Sequence, residues 1–567
     1  MKIKFRHFLK YFLIITLILS SCKSVPVETS SFESYDEGRH HAGGETGSLA
    51  NEITSLIETG VLSSLTQAHG LIQSRDLGGA DFGRMMNGII TLIVRLVYPD
   101  ALLRLPSLDL PLTFGYTRII REAERGNYTH PPPDSTDFFE HILPFFAINN
   151  DTPDTVLTAA LGDLSKAGGL KPNSVLPPYF RGLIYERMGQ LTNADTAYRQ
   201  AYRISSEFYP GLAGSARIMR LSGRYQEAVA LFSDLVVRYP DSLDLKKELA
   251  ITHYQNRDWA RTGPIVDEVL RSEPQNGDFL LMRAHILVEQ GNFSQANATL
   301  DTYASINPNN RTYLFLRVRV QAEGNRNRDS ALNYLRSMLR LFPNDEEALI
   351  YAARLLMESQ RAADQDEARE LLGRLRQLSG SSIEVLSLSL RDAIQRGSWQ
   401  EAQGYLNRIL ATRRTNQDLV DAYTIERGLR NNARALTFAR ELYERDTSNN
   451  EYIAIYVSSL IDNGRRDEAS RLIENRLNAL SNGPVRSQFF FLRSRIQTDE
   501  NAAMADLRSS LFEDPRNLDA LIATFEIHHR RREERRAVHF LRQALAISPN
   551  DPRLRQYERE YSSLLGR

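Results

Sequence analysis

Catalysis or metal binding needs a nucleophile, a base, an electrophile or a set of ligands converging on one point. Few stretches of this chain offer any of these. The single cysteine, Cys22, excludes an internal disulfide framework and a cysteine-cluster metal site. The densest polar cluster is His528-His529-Arg530-Arg531-Arg532-Glu533-Glu534-Arg535-Arg536, with His539 beyond it. The 34-residue repeat frame of the chain puts the two histidines at the end of a helix and the arginines in the turn. The run therefore reads as a solvated face rather than a metal or anion site. There is no P-loop, no G-x-G-x-x-G after a strand, no H-E-x-x-H and no G-x-S-x-G. The expectation is a protein that is not an enzyme, binds no metal and needs no cofactor.

Cys22 has a distinctive approach. Lys2, Lys4, Arg6 and Lys10 precede an apolar stretch, residues 11–19, interrupted only by Thr16. A basic start followed by an apolar run too short to span a bilayer reads as a signal segment. It ends in Leu19-Ser20-Ser21-Cys22, which resembles the bacterial lipobox, where small residues precede a cysteine that becomes the lipidated N-terminus. The resemblance implies that residues 1–21 are a signal peptide and that the Cys22 thiol carries a diacylglyceryl group. Each buried methylene adds about 0.8 kcal/mol, so several acyl chains hold a protein to a membrane firmly. Lys23 after the cysteine, by the same resemblance, favours the outer membrane, facing the periplasm. Residues 22–47, rich in Ser, Glu, His and Gly, read as a flexible tether.

The remaining chain must supply the architecture. With 567 residues, 42% of them hydrophobic, it can bury several cores or one long repeat array. Its 70 basic and 70 acidic residues leave no net field to recruit nucleic acid. Lysine occurs only at Lys2, Lys4, Lys10, Lys23, Lys166, Lys171, Lys246 and Lys247, so nearly all the basic residues are arginine. Arginine forks suit bidentate carboxylate contacts, although genome-wide compositional bias is the plainer explanation.

A period of 34 residues runs through the chain. Pro172, Pro240, Pro274 and Pro308 share one 34-residue frame, with Ser206 in the missing slot. Pro343 comes one residue late, after an insertion at residues 324–329, and Pro515 and Pro549 are again 34 apart. Twelve residues before these positions lie Ala160, Ala194, Ala228, Ala296, Ala331, Ala503 and Ala537; five before them come Ala167, Ala201 and Ala544. Five residues ahead of the first alanine position are Gly189, Gly223 and Gly291, with Gly397 and Gly464 further on. The alanine lets two helices approach, the glycine turns the chain between them, and the proline ends the pair.

This pattern resembles the tetratricopeptide repeat, a pair of antiparallel helices, A and B, stacked into a superhelix. It implies an all-α solenoid of about twelve units over residues 141–551. A helical N-terminal region would span 48–140 and a capping helix 552–567. Thr262 replaces one alanine, and the unit around Arg427 to Asn449 fits poorly. Helical periodicity in the N-terminal region is plausible at 53–73, 82–97 and 117–125, and Pro131-Pro132-Pro133 forms a stiff break. That region is expected to cap the first repeat.

In this family the inner face is lined by positions two, five, nine, twelve and thirteen of the unit. Transferred here, those positions include Leu176, Tyr179, Arg217, Arg220, Lys247, Tyr254, Leu281, His285 and Phe315. Tyr179, Arg217, Arg220, Lys247, Tyr254, His285 and Phe315 are the candidate groove residues, and Arg217, Arg220, Lys247 and Tyr254 are expected to be surface residues outside the packed helix contacts. Arg217, Arg220 and Lys247 would attract an acidic segment. The resemblance implies a lipid-anchored envelope scaffold that binds a protein or extended peptide, in outer-membrane or cell-wall assembly. The alternative is a regulatory or solute-binding lipoprotein holding a glycan or small molecule, recognisable by stacked aromatics in one pocket.

Overall fold

The computed structural model describes residues 45–77, 81–103, 128–132, 134–149, 151–359, 361–549, 551 and 553–565. Among them every regular element is a helix. The lipobox residues Leu19 to Cys22, most of the 22–47 tether and the 117–125 helix lie outside the described residues. The chain divides into two compact units, residues 1–316 and 317–567.

The first unit begins with helices Glu45–Thr59, Leu62–Ser74 and Asp81–Val97. The expected 53–73 helix is split at Gly60, which takes φ +75° and leaves no room for a side chain against Leu176. Helical hairpins follow: Leu176–Arg187 with Leu191–Ile204, Tyr209–Leu221 with Tyr225–Arg238, Leu243–Gln255 with Trp259–Ser272, and Gly277–Glu289 with Phe293–Ala304. Ahead of them, Phe138–Ile142 continues into Leu143–Ala147 and pairs with Asp154–Leu170.

The N-terminal helices do more than cap one repeat. The Val175 amide donates to the Thr59 carbonyl at 3.1 Å. Tyr98, 1% exposed, meets Phe208 and Tyr209 edge-on at 5.9 and 6.0 Å. Asp100 accepts from Ser242 Oγ at 2.6 Å and from the Asp244 amide at 3.1 Å. The segment thus contacts the starts of three successive A helices, the first two through a shared apolar core and the third through Asp100.

In the second unit the hairpins are Glu346–Met357 with Ala362–Ser379, Ile383–Gln395 with Trp399–Leu410, Asn416–Gly428 with Asn432–Arg445, and Asn450–Asp462 with Arg466–Ala479. Pro484–Ser494 with Glu500–Glu513 and Leu518–Arg530 with Glu534–Ile547 complete it. The insertion near residue 324 is absorbed as a π-helical turn at Val320–Gly324, ahead of helix Arg328–Leu341. The expected capping helix is two short pieces, Arg555–Glu560 and Ser562–Leu565, separated by the buried Tyr561.

Ala160, Ala194, Ala228, Ala296, Ala331 and Ala537 are fully buried, as helix contact requires. Ala503 is not; Met504 and Leu507 fill that hairpin instead. The turn glycines Gly189, Gly223, Gly291, Gly397 and Gly464 all have φ between +69° and +78°. Where the glycine is missing, an arginine takes the same left-handed conformation: Arg257, Arg326, Arg430 and Arg532, at φ +50° to +60°. The hairpin around Arg427 to Asn449 therefore keeps its shape without the glycine signature.

Arginine also ties neighbouring hairpins of the second unit together. Arg374, Arg408, Arg445 and Arg476, on successive B helices, donate to the carbonyls of Pro343, Gly380, Arg414 and Thr447 in the preceding turns. Each bond satisfies a carbonyl at or near the end of the previous hairpin.

Candidate functional site

The expected groove residues of the first unit are neither free nor, for the most part, exposed. Tyr179 is 8% exposed and packs on Tyr198 and Phe208; burial pushes its hydroxyl up to about 12. Arg217 grips Glu186 with two bonds, at 2.8 and 2.9 Å, and also donates to the Tyr198 hydroxyl at 3.1 Å. Burial opposes the charge on Arg217, but Glu186 and Tyr198 outweigh it and hold its pKa well above the ordinary value.

Arg220, 4% exposed, donates to Glu248 at 2.7 Å. Lys247 pairs with Glu273 at 2.7 Å and with Asp244 at 3.4 Å. Tyr254 and His285 share a hydrogen bond of 2.8 Å beside Trp259, and burial raises the Tyr254 hydroxyl to about 12. Phe315 is buried beneath the Arg311 guanidinium. The expectation of a free, positively charged face is corrected. Successive A helices lie about 8–10 Å apart, within reach of an arginine and a carboxylate, so Arg217 is neutralised by Glu186 of the preceding hairpin and Arg220 by Glu248 of the following one, while Lys247 is neutralised within its own hairpin.

In the C-terminal cluster Arg530, Arg531, Arg532, Arg535 and Arg536 are exposed, as a solvated face requires, whereas the two histidines are tied into the fold. His528 and His529 end helix Leu518–Arg530, as the frame implied. His528, 6% exposed, bonds Glu533 at 2.7 Å and stacks on Phe540. His529 bonds the Tyr561 hydroxyl at 2.6 Å, which pins the C-terminal cap. Among the described residues no group of three His, Cys, Asp or Glu side chains is placed to hold a metal ion.

The A helices of the second unit carry a different arrangement. Asp462, at the end of Asn450–Asp462, lies between two arginines from the neighbouring A-helix segments. Arg427 Nε approaches it at 3.2 Å, and Arg495 Nη2 donates to it at 2.6 Å. Arg495 also donates to Ser458 Oγ at 2.9 Å. The Arg427 guanidinium lies over the Tyr423 ring at 5.5 Å, 45% exposed, and its terminal nitrogens donate no hydrogen bond among the described residues.

One A helix earlier, Arg391 is exposed and makes no side-chain bond among the described residues. Half-buried Asp421 faces this region. Burial raises its carboxyl pKa, Asp418 adds to the rise, and Gln417, Arg391 and Arg413 oppose it. Val420, Thr424 and Ile455 are half-exposed on the same helices. Arg391, Arg427, Asp462 and Arg495 were not among the sequence-based candidates. Extending the unit frame past residue 383 could have found Arg391, which falls at the ninth position, but not Arg427, which falls at the eleventh.

The hairpins recur with the 34-residue frame, and models described as tetratricopeptide repeat match residues 179–208, 214–242 and 253–317. The chain is a tetratricopeptide repeat protein. No curated protein matches this tetratricopeptide repeat protein. Among solved structures it is similar to YrrB, titled a TPR protein with an unusual peptide-binding site (16% identity, 33% of this chain and 95% of that one, TM-score 0.29). It is also similar to PilF of Pseudomonas aeruginosa (22% identity, 35% and 91%, TM-score 0.32). A third similar structure is yeast Tom70 (12% identity, 73% and 93%, TM-score 0.32). None of these likenesses bears on what this tetratricopeptide repeat protein binds.

Proposed function

We propose that this protein is a scaffold that holds another protein, or an extended peptide, on the A-helix face of its second unit. We further propose that a lipid on Cys22 tethers it to the bacterial envelope, at the outer membrane facing the periplasm. A role in outer-membrane or cell-wall assembly would follow from that location. The observation that carries the scaffold reading is the face formed by Arg391, Arg427, Asp462 and Arg495 with half-exposed Val420, Thr424 and Ile455. It mixes apolar contact area with polar groups whose bonding capacity is only partly used. In the first unit the candidate arginines are instead committed to Glu186 and Glu248.

The glycan reading has less support. Tyr98, Tyr179, Tyr198 and Phe208 do cluster, but they are at most 8% exposed and offer no open platform for a sugar ring. The tether rests on Leu19-Ser20-Ser21-Cys22. The scaffold reading is tested by placing bulky charge on the face. Thr424→Arg with Ile455→Arg should abolish co-purification of the partner from the native envelope. Phe512→Ser, on a B helix and 82% exposed, should leave it intact. Retention by the first variant, or loss by the second, would overturn the reading.

A further inference from the structure

We infer that the A-helix face between residues 383 and 495 takes an extended acidic peptide, whose carboxylates engage Arg391 and displace Asp462 from Arg427 and Arg495. The inference rests on the scaffold reading and adds the chemistry of the partner. Four guanidinium groups, Arg391, Arg413, Arg427 and Arg495, stand against three carboxylates, Asp418, Asp421 and Asp462, which leaves one positive charge in excess. Each guanidinium carries five donors in a fixed fork. Arg391 uses none of them on a described side chain, and Arg427 makes no side-chain hydrogen bond among the described residues, its Nε standing 3.2 Å from Asp462.

Asp462 acts as a resident counter-ion. It holds Arg427 and Arg495 together from two directions while the site is empty, and a partner carboxylate can take its place without reorganising the forks. Spacing then selects the ligand. Neighbouring A helices stand about 8–10 Å apart, and a chain in the extended polyproline II conformation advances about 3.1 Å per residue with three residues per turn, so every third side chain shares a face. Acidic side chains about three residues apart therefore match Arg391 and Arg427, and the residues between them meet half-exposed Val420 and Ile455.

The test uses full-length protein in detergent and a fluorescein-labelled peptide, Glu-Val-Leu-Glu-Val-Leu-Glu, with its Gln-for-Glu analogue as control. Anisotropy at roughly physiological salt should show the glutamate peptide bound and the glutamine peptide at least tenfold weaker. Arg391→Gln and Arg427→Gln should each weaken binding about fivefold, the scale of a partly exposed charge pair. Arg391 has no described side-chain bond to lose, so its variant tests charge without disturbing the fold. Asp462→Asn, checked for an unchanged melting profile, should strengthen binding, because it removes the competing charge.

Equal binding of the two peptides, or no gain from a folded Asp462→Asn protein, overturns the inference. So does equally tight binding of a single-stranded oligonucleotide that the same arginine variants weaken. If the arginine variants leave peptide binding unchanged while Thr424→Arg with Ile455→Arg still abolishes partner capture, the acidic partner falls and the scaffold stands. If neither set has an effect, both fall.

Discussion

Replacing Arg257 by glycine should stabilise the protein. Arg257 closes the turn between Leu243–Gln255 and Trp259–Ser272 at φ +59°, where Gly189, Gly223 and Gly291 close the neighbouring turns at +72°, +78° and +74°. A non-glycine residue in this region costs about 1–2 kcal/mol, whereas glycine loses about 0.5–1 kcal/mol more backbone entropy on folding. The Arg257 side chain is exposed and makes no bond among the described residues, so nothing offsets the strain. The net gain is about 0.5–1 kcal/mol.

A repeat array need not unfold in one step, so the change is best read locally. Amide hydrogen exchange in peptides covering residues 243–272 should slow about two- to fivefold, with little change in the second unit. Gly223→Arg, the reverse change at the equivalent turn, should speed exchange by a similar factor. Faster or unchanged exchange in Arg257→Gly would refute the argument that these arginines are strained.

Other outcomes follow from the same geometry. Ala228 is fully buried in its hairpin, so Ala228→Leu should cost about 1–3 kcal/mol by overpacking, read as a lower thermal midpoint. Asp100→Ala removes the acceptor for Ser242 and the Asp244 amide and should destabilise the first unit by about 1 kcal/mol, seen as faster exchange in residues 243–255. Glu441 and Glu401 are held below the usual carboxylate range, chiefly by hydrogen bonds from Arg414 and Arg396. Their contribution is fully present above the ordinary glutamate pKa and is lost as pH falls through the depressed values. The thermal midpoint should therefore hold near neutrality and drop below roughly pH 4. Cys22→Ser should abolish acyl labelling and release the protein from membranes; labelled, membrane-bound variant protein would contradict the lipid tether.

Much of the fold was legible because the repeat writes itself in residue types. Buried alanines such as Ala194 and Ala296, together with turn glycines such as Gly189 and Gly464, mark the hairpins directly. The signal faded where another residue met the same geometric demand. Arg430 turns the chain as glycine would, and Met504 packs where Ala503 was expected.

The N-terminal region was harder to place. Its docking depends on contacts such as Asp100 with Ser242, 142 positions apart, which leave no periodic trace. The free charge expected on the first unit was misjudged for a related reason. Helical position says which way Arg217 and Arg220 point, but not that Glu186 and Glu248 on adjacent helices neutralise them. Charge pairing between hairpins is a tertiary property, and it moved the candidate site from the best-matching repeats to Arg391, Arg427 and Arg495.

The most direct test of the scaffold reading places a photo-crosslinking amino acid at single positions in living cells. Ile455, on an A helix of the second unit, should capture a partner protein on illumination, and Phe512, on a B helix and more exposed, should not. A partner captured from Phe512 but not from Ile455 would contradict the account.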